Sequence, residues 1–240
     1  MGDASPPEAH ISAVAALDEP TRRRLYDFVV RRPAPVSRDE AAEAVGVPRT
    51  TVAFHLDRLV AEGLLEVVHE RRTGRTGPGA GRPSKLYRRS GEQIAVSLPD
   101  RRYELAGLLL ADTLAEAETS GEPPSAVLHR RARALGRDLG EEARAAAPAE
   151  DGRQAAIGVL ESFGFEPRAT GPDAAIVLGN CPFHALARQH TDLVCGMNLC
   201  LLDGLLDGLA TTDLTARLAP TADHCCVRFD PADPHHTADR

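Results

Sequence analysis

The chain has 240 residues, 42% of them hydrophobic and 26% charged, with 35 Asp and Glu against 28 Lys and Arg for a formal net charge of −7. That length suits two domains better than one core, and the composition is that of an ordinary globular protein. No apolar run approaches the ~18 residues of a membrane helix, and the first ten residues carry Asp3 and Glu8 with no basic patch ahead of an apolar core. These features exclude a membrane helix and a secretory signal of the usual kind, and predict a cytoplasmic protein.

The acidic excess is not evenly spread. Residues 1–90 hold 15 Lys and Arg against 12 Asp and Glu, a net of +3, whereas residues 91–240 hold 13 against 23, a net of −10. Within the basic part, residues 71–90 carry seven cations (Arg71, Arg72, Arg75, Arg82, Lys85, Arg88 and Arg89) and no acid. A cluster of this kind is a footprint for a polyanion, where the bland alternative is a solvated, charge-rich loop.

In chain order, Val14, Leu17, Leu25, Phe28 and Val29 recur at helical spacing, and Pro20 places the start of the first full helix, 20–32. Ser37-Arg38-Asp39-Glu40 matches a capping box and opens a short second helix that Gly46 ends. After Gly46-Val47-Pro48, residues 49–63 form a third helix with Val52, Leu56, Leu59 and Val60 on one face. Short helix, tight turn, helix is the helix-turn-helix pattern. Residues 64–69 and 85–89 pair as a hairpin whose long Gly/Pro-rich tip, 73–83, forms a wing. Residues 99–118 and 124–147 are amphipathic helices, 151–164 and 191–209 two more, and 174–178 and 225–229 strands; 1–10 and 230–240 read as tails. The expected architecture is α+β, with a winged helix-turn-helix domain at 11–90 and an α+β sensor domain at 91–230.

With its core face occupied, the third helix leaves Arg49, Thr50, Thr51, His55 and Arg58 as outward candidates for DNA. Arg49 suits a guanine edge, the threonines a base or phosphate, and Arg58 a phosphate. On the wing, Arg71, Arg72, Arg75 and Arg82 suit phosphates, and Gly81-Arg82-Pro83 would let Arg82 enter a minor groove. The bland alternative for Thr51 and His55 is the solvated side of a three-helix bundle.

All five cysteines (Cys181, Cys195, Cys200, Cys225 and Cys226) lie in the last sixty residues. In a reducing compartment, thiols gathered in this way point to metal or redox chemistry rather than structural disulfides. Cys181 precedes Pro182 at a strand end, Cys195 follows on a helix after thirteen intervening residues, and Cys225 comes after twenty-nine more. Iron–sulfur clusters often sit beside a Cys-Pro step, and the closely paired C-x-x-C of structural zinc is missing. Cys200 lies about 140° round the helix from Cys195 and reads as core, like the small buried hydrophobe a free cysteine often is. His184, His190 and the pair His235-His236 read as structural or tail residues.

Taken together, LDEPTRRRLYDFV, TTVAFHLDRLVAEGLL, GRPSKLYRR, NCPFHALARQHTDLVCGMN and CCVRF resemble the SufR family of iron–sulfur-responsive winged-helix repressors, whose DNA-binding half is related to ArsR-type regulators. The resemblance spans about Asp18 to Phe229. It implies a homodimer that binds a double-stranded DNA operator, represses iron–sulfur assembly genes and holds a labile cluster, of 4Fe–4S type, on three cysteines. These carry over to Cys181, Cys195 and one of the vicinal pair, assigned to Cys225 with Cys226 as the alternative. The pattern departs from the family in lacking an obvious fourth thiol at matching spacing. Two other regulators fit the same scaffold, one sensing zinc or thiol redox state and one binding a small effector. Residues 91–240 hold no G-x-G-x-x-G, G-x-S-x-G or H-E-x-x-H, so no motif argues for an enzyme.

Overall fold

The computed structural model describes residues 7–70, 83–147, 151–169, 174–221 and 224–232. The chain divides into two compact units, Met1–Val96 and Ser97–Arg240.

The first unit opens with α1 (Pro7–Ala16), α2 (Pro20–Val30), β1 (Val36–Ser37), α3 (Arg38–Val45) and α4 (Arg49–Ala61), and closes with the hairpin β2 (Leu65–Glu70) and β3 (Ser84–Arg89). Local chemistry sets these boundaries. Pro20 occupies the first turn of α2, where its missing N–H costs nothing, and the Glu19 carboxylate accepts from the Thr21 and Arg22 amides at 3.0 and 2.6 Å. The capping box forms as its sequence predicts, with Ser37 and Glu40 each serving the other's backbone, and Gly46 ends α3 in the left-handed conformation at φ 70°. The sheet order is β1-β3-β2, all antiparallel, with Val67 opposite Tyr87 and Val68 opposite Leu86. Leu25, Val52, Leu56, Leu59 and Tyr87 are completely buried and form the centre of this core.

The second unit contains α5 (Tyr103–Ser120), α6 (Pro124–Ala146), α7 (Gly152–Ser162), β4 (Pro167–Ala169), β5 (Ile176–Leu178), α8 (His184–Gln189), α9 (Thr191–Leu209), β6 (Leu214–Leu218) and β7 (Val227–Pro231). Its sheet runs β4-β5-β7-β6, antiparallel throughout. The apolar helix α9 lies at the centre, and its pairing with α6 is the largest between any two elements. Glycines on both helices make that closeness physically accessible. A Cβ at Gly136 or Gly140 would overlap backbone atoms of α9, and one at Gly204 or Gly208 would overlap the Arg133 or Arg137 carbonyl of α6. Along one edge of this seam the Arg133 guanidinium pairs with Asp203 and Asp207.

Several expectations change. A separate helix, α1, reaches back to Pro7 into the expected tail of residues 1–10, and its Ala13 and Ala16 pack into the first core. In the second unit β4, α8 and β6 join the predicted elements, and the helix expected from residue 99 starts at Tyr103. The last strand begins at Val227, so Cys225 and Cys226 stand in the turn ahead of it rather than on it. Residues 233–240 lie outside the described residues.

Candidate functional site

Helix α4 presents two faces. Val52, Leu56 and Leu59 are fully buried, while Arg49, Thr50, Phe54, Asp57 and Arg58 are exposed and Thr51 is half-buried. Arg49 rests on Asp39 of α3 at 2.8 Å, a pair exposed enough for solvent to screen, and Arg58 pairs with the largely buried Glu62 one turn on. Of the predicted DNA-reading set, Arg49, Thr50 and Arg58 therefore share an outward surface.

His55 does not. Expected to face outward, it is buried, and its Nδ1 lies 3.5 Å from Glu19 Oε2 at the start of α2, without a hydrogen-bond partner. The reason is periodicity: His55 follows Val52 by three residues and precedes Leu59 by four, which places it at the rim of the apolar stripe. Burial pulls Glu19 upward, but the Thr21 and Arg22 amides and His55 outweigh it and hold the carboxyl below its ordinary range. Phe54 takes the outward position instead, 67% exposed.

The wing strand is fastened to this helix. Asp57 Oδ1 accepts from Lys85 Nζ at 2.6 Å and from the Tyr87 hydroxyl at 2.9 Å. Desolvation works against the Asp57 charge, yet those two donors hold its carboxyl below the ordinary value, and the same bond raises Lys85. The only acid on the outward face of α4 is thereby occupied by β3. The predicted phosphate contacts Arg71, Arg72, Arg75 and Arg82 lie outside the described residues.

The second candidate is a group of thiols. Cys181 stands in the loop between β5 and α8, Cys195 near the start of α9, and Cys225 and Cys226 in the turn before β7. Cys181, Cys195 and Cys225 are buried. Cys181 interacts electrostatically with Cys225, Cys225 also with Cys226, and Cys226 with Cys195, so thiols from three elements neighbour one another. The interaction with Cys225 and then burial push the Cys181 thiol far up. Its interaction with Cys181 pulls Cys225 down, but that with Cys226 and burial outweigh it and push the thiol up to about 12. Burial also raises Cys195, against the opposing interaction with Cys226. Cys200 is electrostatically close to Asp203 and Arg133 and not to a thiol, in keeping with its expected place outside the group.

Polar groups that sequence reading missed hold this cluster. Asn198 on α9 is almost fully buried; its Nδ2 donates to Cys225 Sγ at 3.3 Å, and its Oδ1 has no partner. A lone amide three residues past Cys195 in a leucine-rich helix was the available signal. The Cys181 loop is anchored by Asn180, whose Nδ2 donates to the Gly164 and Asp100 carbonyls at 2.5 and 3.1 Å, and by Arg101, which donates to Asn180 Oδ1 and to the Cys181 carbonyl. Both His184 and His190 are exposed. Among the described residues, no three Cys, His, Asp or Glu side chains are grouped to hold a single metal ion.

Comparison with known proteins bears on the first unit. Residues 17–68 match a family model described as a helix-turn-helix domain. The first unit carries a helix-turn-helix domain. The match covers α2, α3, α4 and most of β2, the elements that carry the outward face of Arg49, Thr50, Phe54 and Arg58, and it supports DNA binding by this unit. A search of curated proteins finds no match. No described helix is long and apolar enough to cross a membrane.

Proposed function

We propose that the protein is a homodimeric transcriptional repressor whose operator affinity is set by an iron–sulfur cluster, with the genes of cluster assembly as its targets. The observation that carries the reading is the gathering of the buried Cys181, Cys195 and Cys225 and the half-buried Cys226 from three elements. The donor set is all sulfur, which suits iron–sulfur ligation. Cys181, Cys195 and Cys225 would hold the cluster, and Cys226 supplies the fourth thiol that the spacing left unassigned. Asn198 already aims an N–H at Cys225 Sγ, a contact of the kind that tunes cluster sulfurs.

A bound cluster supplies a link that oxidant or iron shortage can remove. The chain's own residues convey that link. Cys195 is on α9, α9 is locked to α6 by the glycine seam, and α6 carries α5 through Arg130 and Arg131, both paired with Glu116. The outer face of α5 exposes Leu108 and Leu114, at 59% and 58%, which suits a second copy of the chain. Shifting α5 at a dimer axis would alter the spacing of two recognition helices, and a coupling of ~1–3 kcal/mol gives roughly 5–150-fold control of operator affinity.

The test is purification without oxygen, followed by iron and sulfide analysis and visible spectroscopy. Iron, sulfide and a brown colour that disappear together in Cys181→Ser, Cys195→Ser and Cys225→Ser support the reading, with Cys200→Ser unaffected. A second reading, a zinc or dithiol sensor, draws on the neighbouring pairs Cys181–Cys225 and Cys195–Cys226. Colourless protein with stoichiometric zinc, or with a reversible disulfide, selects it.

A further inference from the structure

We propose that Phe54 reads thymine through its 5-methyl group in the major groove, giving α4 an apolar base contact among its cationic ones; this rests on the DNA-reading role of α4. Every other large apolar side chain in the first three turns of α4 (Val52, Leu56 and Leu59) is fully buried, whereas Phe54 is 67% exposed. It lies two residues from both Val52 and Leu56, about 200° round the helix at ~100° per residue, on the side opposite the core. Thr50 and Arg58 sit one turn to either side of it on that face.

The surroundings decide what such a ring can meet. The Arg49 and Arg58 side chains are 63% and 53% exposed, each paired with a carboxylate (Asp39 and Glu62), and the nearby carboxylate of Asp57 is held by Lys85 and Tyr87. An apolar ring beside the Arg58 cation, on a helix that also carries Arg49, is complementary to a polyanion that also has an apolar feature. In the major groove that feature is the thymine methyl, which Phe can contact directly. The ring is already restrained: it meets His55 edge-to-face with centroids 5.4 Å apart, and His55 is buried. Its two side-chain torsions leave little freedom to lose on binding.

Duplexes selected from a randomised pool by the full-length wild-type chain supply the probe. Each thymine is then replaced singly by deoxyuridine, which removes the methyl and leaves the base-pairing edge intact. Wild type is expected to lose about fourfold in affinity at one thymine per half-site, the value of one buried methyl group. Phe54→Ala should bind more weakly and become indifferent to that replacement, with its oligomeric state unchanged. The assignment is overturned if no thymine is sensitive, if Phe54→Ala keeps the same sensitivity, or if Phe54→Ala changes the oligomeric state and so places the ring in a protein interface. Selection of no duplex at all overturns the DNA-reading role of α4, whereas selection of a duplex insensitive to uracil overturns the Phe54 assignment alone.

Discussion

Replacing Gly204 by Ala tests the close backbone contact between α6 and α9. In an isolated helix the change would stabilise by about 1 kcal/mol, because Gly loses more backbone freedom than Ala on folding. Here the new Cβ would overlap the Arg133 carbonyl and lie 2.9 Å from Arg133 C and 3.0 Å from its Cα, and backbone of another helix cannot rotate away as a side chain can. Overpacking of this kind costs ~1–3 kcal/mol, and the immobility of the partner argues for the top of that range. The net is a loss of about 2 kcal/mol, or roughly 4–8 °C in Tm for a chain of this size. Gly158→Ala is the control: it is a mid-helix glycine of α7 with nothing within 4 Å of an added Cβ, so the propensity gain stands alone and Tm should rise by about 2–4 °C. Thermal unfolding followed by far-UV circular dichroism measures both. Should Gly204→Ala raise Tm alongside Gly158→Ala, α6 and α9 are not in backbone contact and the proposed rigid coupling between Cys195 and α5 loses its basis.

Arg49→Ala and Arg58→Ala should each weaken binding to a selected duplex without lowering Tm, and Arg49→Ala should relax base preference at one position by ~1–3 kcal/mol if it grips its base in bidentate fashion; unchanged mobility shifts for both would remove α4 from DNA reading. Neutralising Arg71, Arg72 and Arg75 together should weaken binding to all sequences and make the log–log salt slope shallower by about 0.9 for each phosphate that is no longer neutralised, while an unchanged slope would mean that the wing does not touch phosphates. Asp57→Ala strands the hydroxyl of the buried Tyr87 and should cost about 1–2 kcal/mol. Because the folded carboxyl of Asp57 titrates below its ordinary value, its contribution is present above the usual carboxylate range and lost as pH falls through the folded value. Acid titration of Tm should therefore show a smaller decline for Asp57→Ala than for wild type, and identical declines would deny the Asp57 carboxylate that role.

The helix-turn-helix was legible because its determinants are local. Ser37 and Glu40 are three residues apart, Gly46 needs its own φ alone, Glu19 caps the two amides that follow it, and the Val52-Leu56-Leu59 stripe depends on helical period. Local chemistry also marked Cys181, Cys195 and Cys225 as residues of one kind without determining whether they meet. Their meeting depends on contacts between distant parts of the chain: β7 pairs with β5 at Phe229 opposite Ile176, the Cys225 amide donates to the Leu178 carbonyl, and α9 docks on α6 through glycines about seventy positions apart in sequence. Long-range packing also brought Cys226 beside Cys195 and enclosed Asn198 against Cys225, whereas the burial of His55 and the exposure of Phe54 follow from the helical period within α4. Caps and periodicity act over a few residues and are written into the chain next to their effect, whereas the neighbours of a thiol or an amide in a core exist only once sheet and helices have closed around it.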